Sequence, residues 1–168
     1  GRDALLEELA AEYLQGQITP DIFEATQLFY GNAGFGHAPR IVLFARKNSW
    51  IGTRTKFMRH VRKRSVRVAT EFPNIARAFF RSNDVIGIPT PSSGATEANV
   101  ASGMYEVGIC IAETRKTLEQ NDLVELENIG VAPAVLIVNS LFREVEGSET
   151  IVRFLARRLS LAVDSLSR

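Results

Sequence analysis

Polar and apolar positions alternate along this chain in two rhythms. Near the start, Leu5, Leu6, Leu9 and Tyr13 recur at helical spacing inside Arg2-Asp3-Ala4-Leu5-Leu6-Glu7-Glu8-Leu9, which predicts a helix that Asp3 can cap and Gln15-Gly16-Gln17 ends. Gly31-Asn32-Ala33-Gly34-Phe35-Gly36 reads as a flexible connection. Arg40 to Ala45 is then a continuous apolar run, the pattern of a strand buried on both faces. Ser49 to Arg64 predicts a loop and a helix, and Val66 to Thr70 a second strand. Pro73 suits a first helical position ahead of Ile75, Ala76, Phe79 and Phe80. Val85 to Ile88 predicts a short strand, broken by Pro89, Pro91, Ser92, Ser93 and Gly94. Ala95 to Gly103 predicts a short helix, and Val107 to Ala112, Leu123 to Glu127 and Ala134 to Val138 predict further strands. From Ser148 onward, Ile151, Leu155, Leu159, Ala162 and Leu166 share one helical face, with Arg153, Arg157 and Arg158 opposite, so this helix is expected to lie over the sheet with its basic side wet. Strands alternating with helices predict an α/β sheet with parallel members.

Composition narrows the chemistry. The chain has 168 residues, 45% apolar and 23% charged, with a formal net charge of +1. That balance gives no global drive toward nucleic acid or membranes, so electrostatic function has to come from local clusters. A single cysteine, Cys110, excludes an intrachain disulfide and a thiolate zinc cage. Its apolar strand makes it a buried, inert thiol unless Arg115 or Lys116 lowers its pKa. No apolar run reaches the roughly 18 residues of a spanning helix, and a cytoplasmic protein without membrane contact is expected. Between Arg54 and Arg67 stand seven Lys or Arg residues plus His60 and no acid. Phe57, Met58 and Val61 interrupt them at helical spacing, which favours an amphipathic helix with a solvated basic face over a nucleic-acid arm.

The segment Glu106-Val-Gly-Ile-Cys-Ile-Ala-Glu-Thr-Arg-Lys-Thr-Leu118 runs from an acid through an apolar strand into a polar turn. Such turns hold phosphate when backbone N–H groups face the anion. This segment resembles the phosphoribosyl-pyrophosphate loop of the ATP phosphoribosyltransferases of histidine biosynthesis. Arg67 to Arg77 resembles a signature stretch of that family's second domain, and Gly94-Ala95-Thr96-Glu97 matches the Gly-x-x-Glu ahead of its loop. Gly1 to Glu7, Thr117-Leu118, Asn121, Leu123 to Glu125 and Ala134 to Asn139 match other blocks in the same order.

The resemblance implies a two-lobed fold like that of type II periplasmic binding proteins, with one complete lobe and one incomplete lobe. Residues 1–38 would be a remnant of the first lobe and hinge, 39–112 the second lobe, and 113–168 the ligand loop, return strands and last helix. It implies transfer of a phosphoribosyl group from phosphoribosyl pyrophosphate to ATP or a related base, with Mg2+ bound through the substrate's pyrophosphate. Glu106 would be the catalytic carboxylate that orients the ribose. Thr114, Arg115, Lys116 and Thr117 would hold the 5′-phosphate, and Glu71, Gly94 and Glu97 would line the cleft. Three departures stand against full activity: no counterpart to the family's Lys-Gly-Arg nucleotide turn, Cys110 in place of an aspartate, and Glu113-Thr114-Arg115 in place of Ser-Thr-Gly. An impaired accessory or regulatory relative is the alternative, and a homo-oligomer or complementing subunit is the expected partner.

Overall fold

A computed structural model describes residues 1–16, 22–28, 38–49, 51–62, 64–92, 94–112 and 116–166. The first helix, α1, spans Arg2–Leu14 and ends before Gly16, whose φ of +82° favours glycine. Asp3 makes no capping hydrogen bond; it lies inside the first turn, where the N-cap is Gly1. Strand β1, Ile22–Leu28, follows. The expected connection at 31–36, together with His37 and Trp50, lies outside the described residues.

A five-stranded sheet carries the core. Its strands are β2 (Arg40–Arg46), β3 (Val66–Thr70), β4 (Gly87–Pro91), β5 (Val107–Ala112) and β6 (Leu123–Val131), in the order β4-β3-β5-β2-β6. β3 runs parallel to β4 and β5, whereas β2 is antiparallel to β5 and β6. Helices α2 (Arg54–Val61), α3 (Pro73–Ser82), α4 (Thr96–Ala101) and α5 (Lys116–Gln120) connect the strands. Ile41, Leu43 and Ala45 of β2 pack with Phe57 and Val61 of α2 and with Ile75, Ala76 and Phe80 of α3. Val42 and Phe44 pack with Val100 of α4, Cys110 and Leu118 of α5. Successive side chains of β2 therefore enter opposite layers, as the period of a strand requires. Gly108 lies under the Phe44 ring, where an added Cβ would sit 2.3 Å from a ring carbon.

Two expectations need correction. The break expected at Pro89 and Pro91 is strand β4 itself. Proline, lacking an N–H, is tolerated there because β4 is a sheet edge. The last helix, α6 (Ser148–Leu166), is not laid over the five-stranded sheet. It meets β1, which pairs antiparallel with β7 (Ala134–Asn139) in a separate two-stranded sheet. Ile151, Phe154, Leu155 and Leu161 of the helix stay exposed, because a ribbon two strands wide has too little surface to cover the stripe. Val152 and Ala156 are half-buried instead.

The five-stranded sheet draws on residues from 40 to 131, so a boundary after residue 112 would separate β6 from its partner β2. α1 ties the units together. Its Arg2 pairs with Glu24 of β1 at 3.0 Å, and its Glu7 reaches α3.

Candidate functional site

The strand order creates a crevice. From β3 the chain passes through α3 to β4 on one side, then through α4 to β5 on the other side of β3. The layers agree: α3 packs on one face and α4 on the opposite face. In open α/β sheets ligands bind beyond the carboxyl ends of strands at such a reversal. Here those ends are Thr70 of β3, Pro91 of β4 and Ala112 of β5.

Most of the candidate residues gather at this crevice, and the local bonding shows how. Thr70 is fully buried; its hydroxyl oxygen accepts from Phe72 N at 2.9 Å and its carbonyl from Ser92 N at 2.8 Å. Those bonds turn both strand ends sharply. Glu71, now exposed, accepts from Gly94 N at 2.9 Å, and Gly94 adopts φ +70°, where a side chain would be strained. Ser92 accepts from Asn99 Nδ2 at 2.8 Å, which fixes the start of α4. Glu97 on α4 then faces Cys110 on β5, with Sγ donating to Oε1 at 3.8 Å. Burial, reinforced by the Glu97 and Glu71 carboxylates, pushes the thiol well above its ordinary pKa, so Cys110 stays a neutral thiol. Lys116 and Thr117 are exposed at the start of α5, while Leu118 behind them anchors the turn in the core. Thr114 and Arg115 lie outside the described residues, as does Glu113.

Glu106 is not brought to this crevice. It precedes β5, whose six residues separate it from the loop by about 20 Å at the rise of an extended strand. There it accepts from Arg67 N at 2.9 Å and from the Arg67 guanidinium at 2.7 Å. Partial burial opposes ionisation of Glu106, but the Arg67 bonds outweigh it and lower the carboxyl pKa. The same pair raises the pKa of Arg67. A strand carries its two ends apart, so residues flanking it cannot hold one small sugar.

Glu7 is a residue that the sequence reading did not single out. Its two carboxylate oxygens accept from Asn74 N at 2.8 Å and Ile75 N at 2.9 Å, capping α3 from another helix. Partners 67 and 68 positions apart leave no local signal. Among the described residues no three His, Cys, Asp or Glu side chains are grouped to hold a metal. No described helix is long and apolar enough to cross a membrane.

The family model described as ATP phosphoribosyltransferase matches residues 1–160. The chain belongs to that family. The ATP phosphoribosyltransferase of Moorella thermoacetica is 30% identical over 151 residues, which cover 88% of this chain and 58% of that protein. That of Thermoanaerobacter sp. strain X514 is 42% identical over 73 residues, 44% of this chain and 34% of its own length. The matched stretches thus cover 58% and 34% of these two relatives, so the chain spans only part of their length. Among solved structures, the ATP phosphoribosyl transferase (HisG:HisZ) complex from Thermotoga maritima matches with a TM-score of 0.63 at 22% identity, covering 95% of this chain and 77% of that one. A TctC solute binding protein from Polaromonas matches with a TM-score of 0.62 at 12% identity, covering 96% and 62%. At these identities the likeness concerns the fold, which is periplasmic-binding-protein-like.

Proposed function

We propose that this ATP phosphoribosyltransferase relative binds phosphoribosyl pyrophosphate at the carboxyl ends of β3, β4 and β5 and takes part in transferring its phosphoribosyl group to ATP or a related base. The observation that supports the reading is the reversal of strand order at β3, with Glu71, Gly94 and Glu97 bonded beside the strand ends there and Lys116 and Thr117 opening the helix that follows β5. Lys116 offers a cation and Thr117 a hydroxyl to the 5′-phosphate, and Thr114 and Arg115, which precede them in sequence, are proposed for the same role. Glu71 and Glu97 are placed to accept from sugar hydroxyls, a role for which Glu106 is too distant. The substrate brings Mg2+ on its pyrophosphate, which offsets the leaving group's charge. The protein's part is then orientation and charge complementarity. The Thermotoga maritima neighbour is a HisG:HisZ complex, which supports assembly with a complementing subunit, itself or another chain.

A second reading, an accessory subunit with an impaired site, is favoured by Cys110. Where the family carries an aspartate, this thiol is held neutral by burial and by two nearby carboxylates, so the position contributes no negative charge. Titration calorimetry separates the two readings. With magnesium and phosphoribosyl pyrophosphate, the transferase reading predicts micromolar binding that weakens by about tenfold or more in Thr117→Ala and Lys116→Ala, the loss of one charge-assisted contact. A folded chain that gives no heat with this ligand, alone or with ATP, would leave the accessory reading.

A further inference from the structure

We propose that the opposite end of the sheet holds a second ligand site, a cavity of about 420 Å3 that takes a small phosphorylated, hydroxyl-bearing molecule. It lies between the α2–β3 connection and the residue preceding β5, and is lined by His60, Arg64, Ser65, Val66 and Glu106. Its volume is that of a small-molecule pocket.

The lining sorts by chemistry. Val66 is buried and forms an apolar floor. Arg64 and Ser65 supply donors suited to phosphate oxygens. Glu106, fixed by four hydrogen bonds from three Arg67 N–H donors, is an acceptor of defined position at the cavity wall, and a sugar hydroxyl can share one of its oxygens.

The charge balance points the same way. Of the basic run, Arg54 is neutralised by Glu127 at 2.6 Å and Arg67 by Glu106. Among the described residues, Arg59, Arg62 and Arg64 have no carboxylate within ion-pair distance. Arg59 lies in the last turn of α2, where a cation offsets the helix dipole, but Arg64 lies beyond the helix and has no such task. A cation without a helix end to serve, at the wall of a cavity that also carries a fixed carboxylate, fits a ligand with both phosphate and hydroxyl groups. A continuous RNA backbone fits less well, because the Glu106 carboxylate would face its phosphates. The cavity is separated from the proposed phosphoribosyl site by the length of β5, so the two sites are independent.

The test is a titration of the 15N-labelled protein with ribose 5-phosphate, followed by amide chemical shifts, with orthophosphate, ribose and a short single-stranded RNA as separate probes. The expected result is saturable shifts at Arg64, Ser65, Val66, Arg67 and Glu106. Binding there should weaken about tenfold in Arg64→Ala, a solvent-exposed change, and be about tenfold weaker for orthophosphate. Shifts at this end should persist in Thr117→Ala, so failure of the phosphoribosyl site would not remove them. The proposal is overturned by the absence of saturable shifts at these residues, by equal affinity in Arg64→Ala, or by equal affinity for orthophosphate. Tighter binding of RNA, with shifts spreading along Lys56 and Arg59, would also overturn it.

Discussion

The two ends of β5 solve opposite problems with the same backbone. At its carboxyl end the chain satisfies its polar groups internally: Thr70 holds Phe72 and Ser92, Glu71 holds Gly94, and Glu97 receives the Cys110 thiol. At its amino end one tight pair, Arg67 with Glu106, stands among cations that face water. The first end is shaped by short bonds between turns; the second is shaped by charge. A shaped crevice can discriminate among ligands by geometry, whereas a charged rim responds first to salt and pH.

The comparison can be broken at several points. The largest effect is expected from Phe80→Ala. Phe80 is buried, packs edge-on against Phe57 and Phe79 and covers Gly87, so it joins α2 and α3 to the sheet. Its removal should cost about 3–5 kcal/mol in denaturant unfolding. Glu7→Ala should cost about 1–2 kcal/mol, because it strips two amides at the start of α3 of a charged acceptor. Glu7→Gln, which keeps one good acceptor oxygen, should recover part of that loss. The loss should fall on the carboxyl-end crevice, read as faster hydrogen exchange at Asn74 and Ile75 with little change at Arg67.

Two smaller effects separate the ends by pH. At the carboxyl end, the folded thiol of Cys110 has a raised pKa, so above the ordinary thiol pKa the unfolded chain releases its proton first. Stability then falls as pH rises past about 9, and Cys110→Ala should flatten that alkaline slope. At the amino end, Glu106 has a lowered pKa, so its contribution is present above the ordinary carboxyl pKa and fades as pH falls through the folded value. Glu106→Gln should flatten the acid slope and leave the alkaline one intact, measured by urea unfolding across pH.

What could be read from the sequence follows the range of the interactions. β2, β3 and β5 appear where their apolar runs predict, because each is buried by both layers and needs no particular partner to be apolar. β1 carries Glu24, Thr26 and Gln27 among its apolar residues and is a strand by virtue of β7, more than a hundred positions away. No local pattern marks it. The prolines of β4 read as a break because their tolerance depends on an edge position that only the sheet order supplies.

The candidate site was legible in part for the same reason. Glu71, Gly94 and Glu97 fall beside strand ends that the pattern predicts, and the crevice joins them. The family resemblance groups Glu106 with Lys116 and Thr117, yet an extended strand turns a short separation in number into a long one in space. The α6 stripe shows the converse: its periodicity is clear, but burial also needs a surface wide enough to receive it.

The most direct test of the central claim is to add phosphoribosyl pyrophosphate with magnesium to the labelled protein and ask which end of β5 responds. The account predicts saturable amide shifts at Gly94, Glu97, Lys116 and Thr117, larger than any at Arg67. Shifts confined to Arg67 and Glu106, or none at Gly94 and Thr117 at saturating ligand, would contradict it.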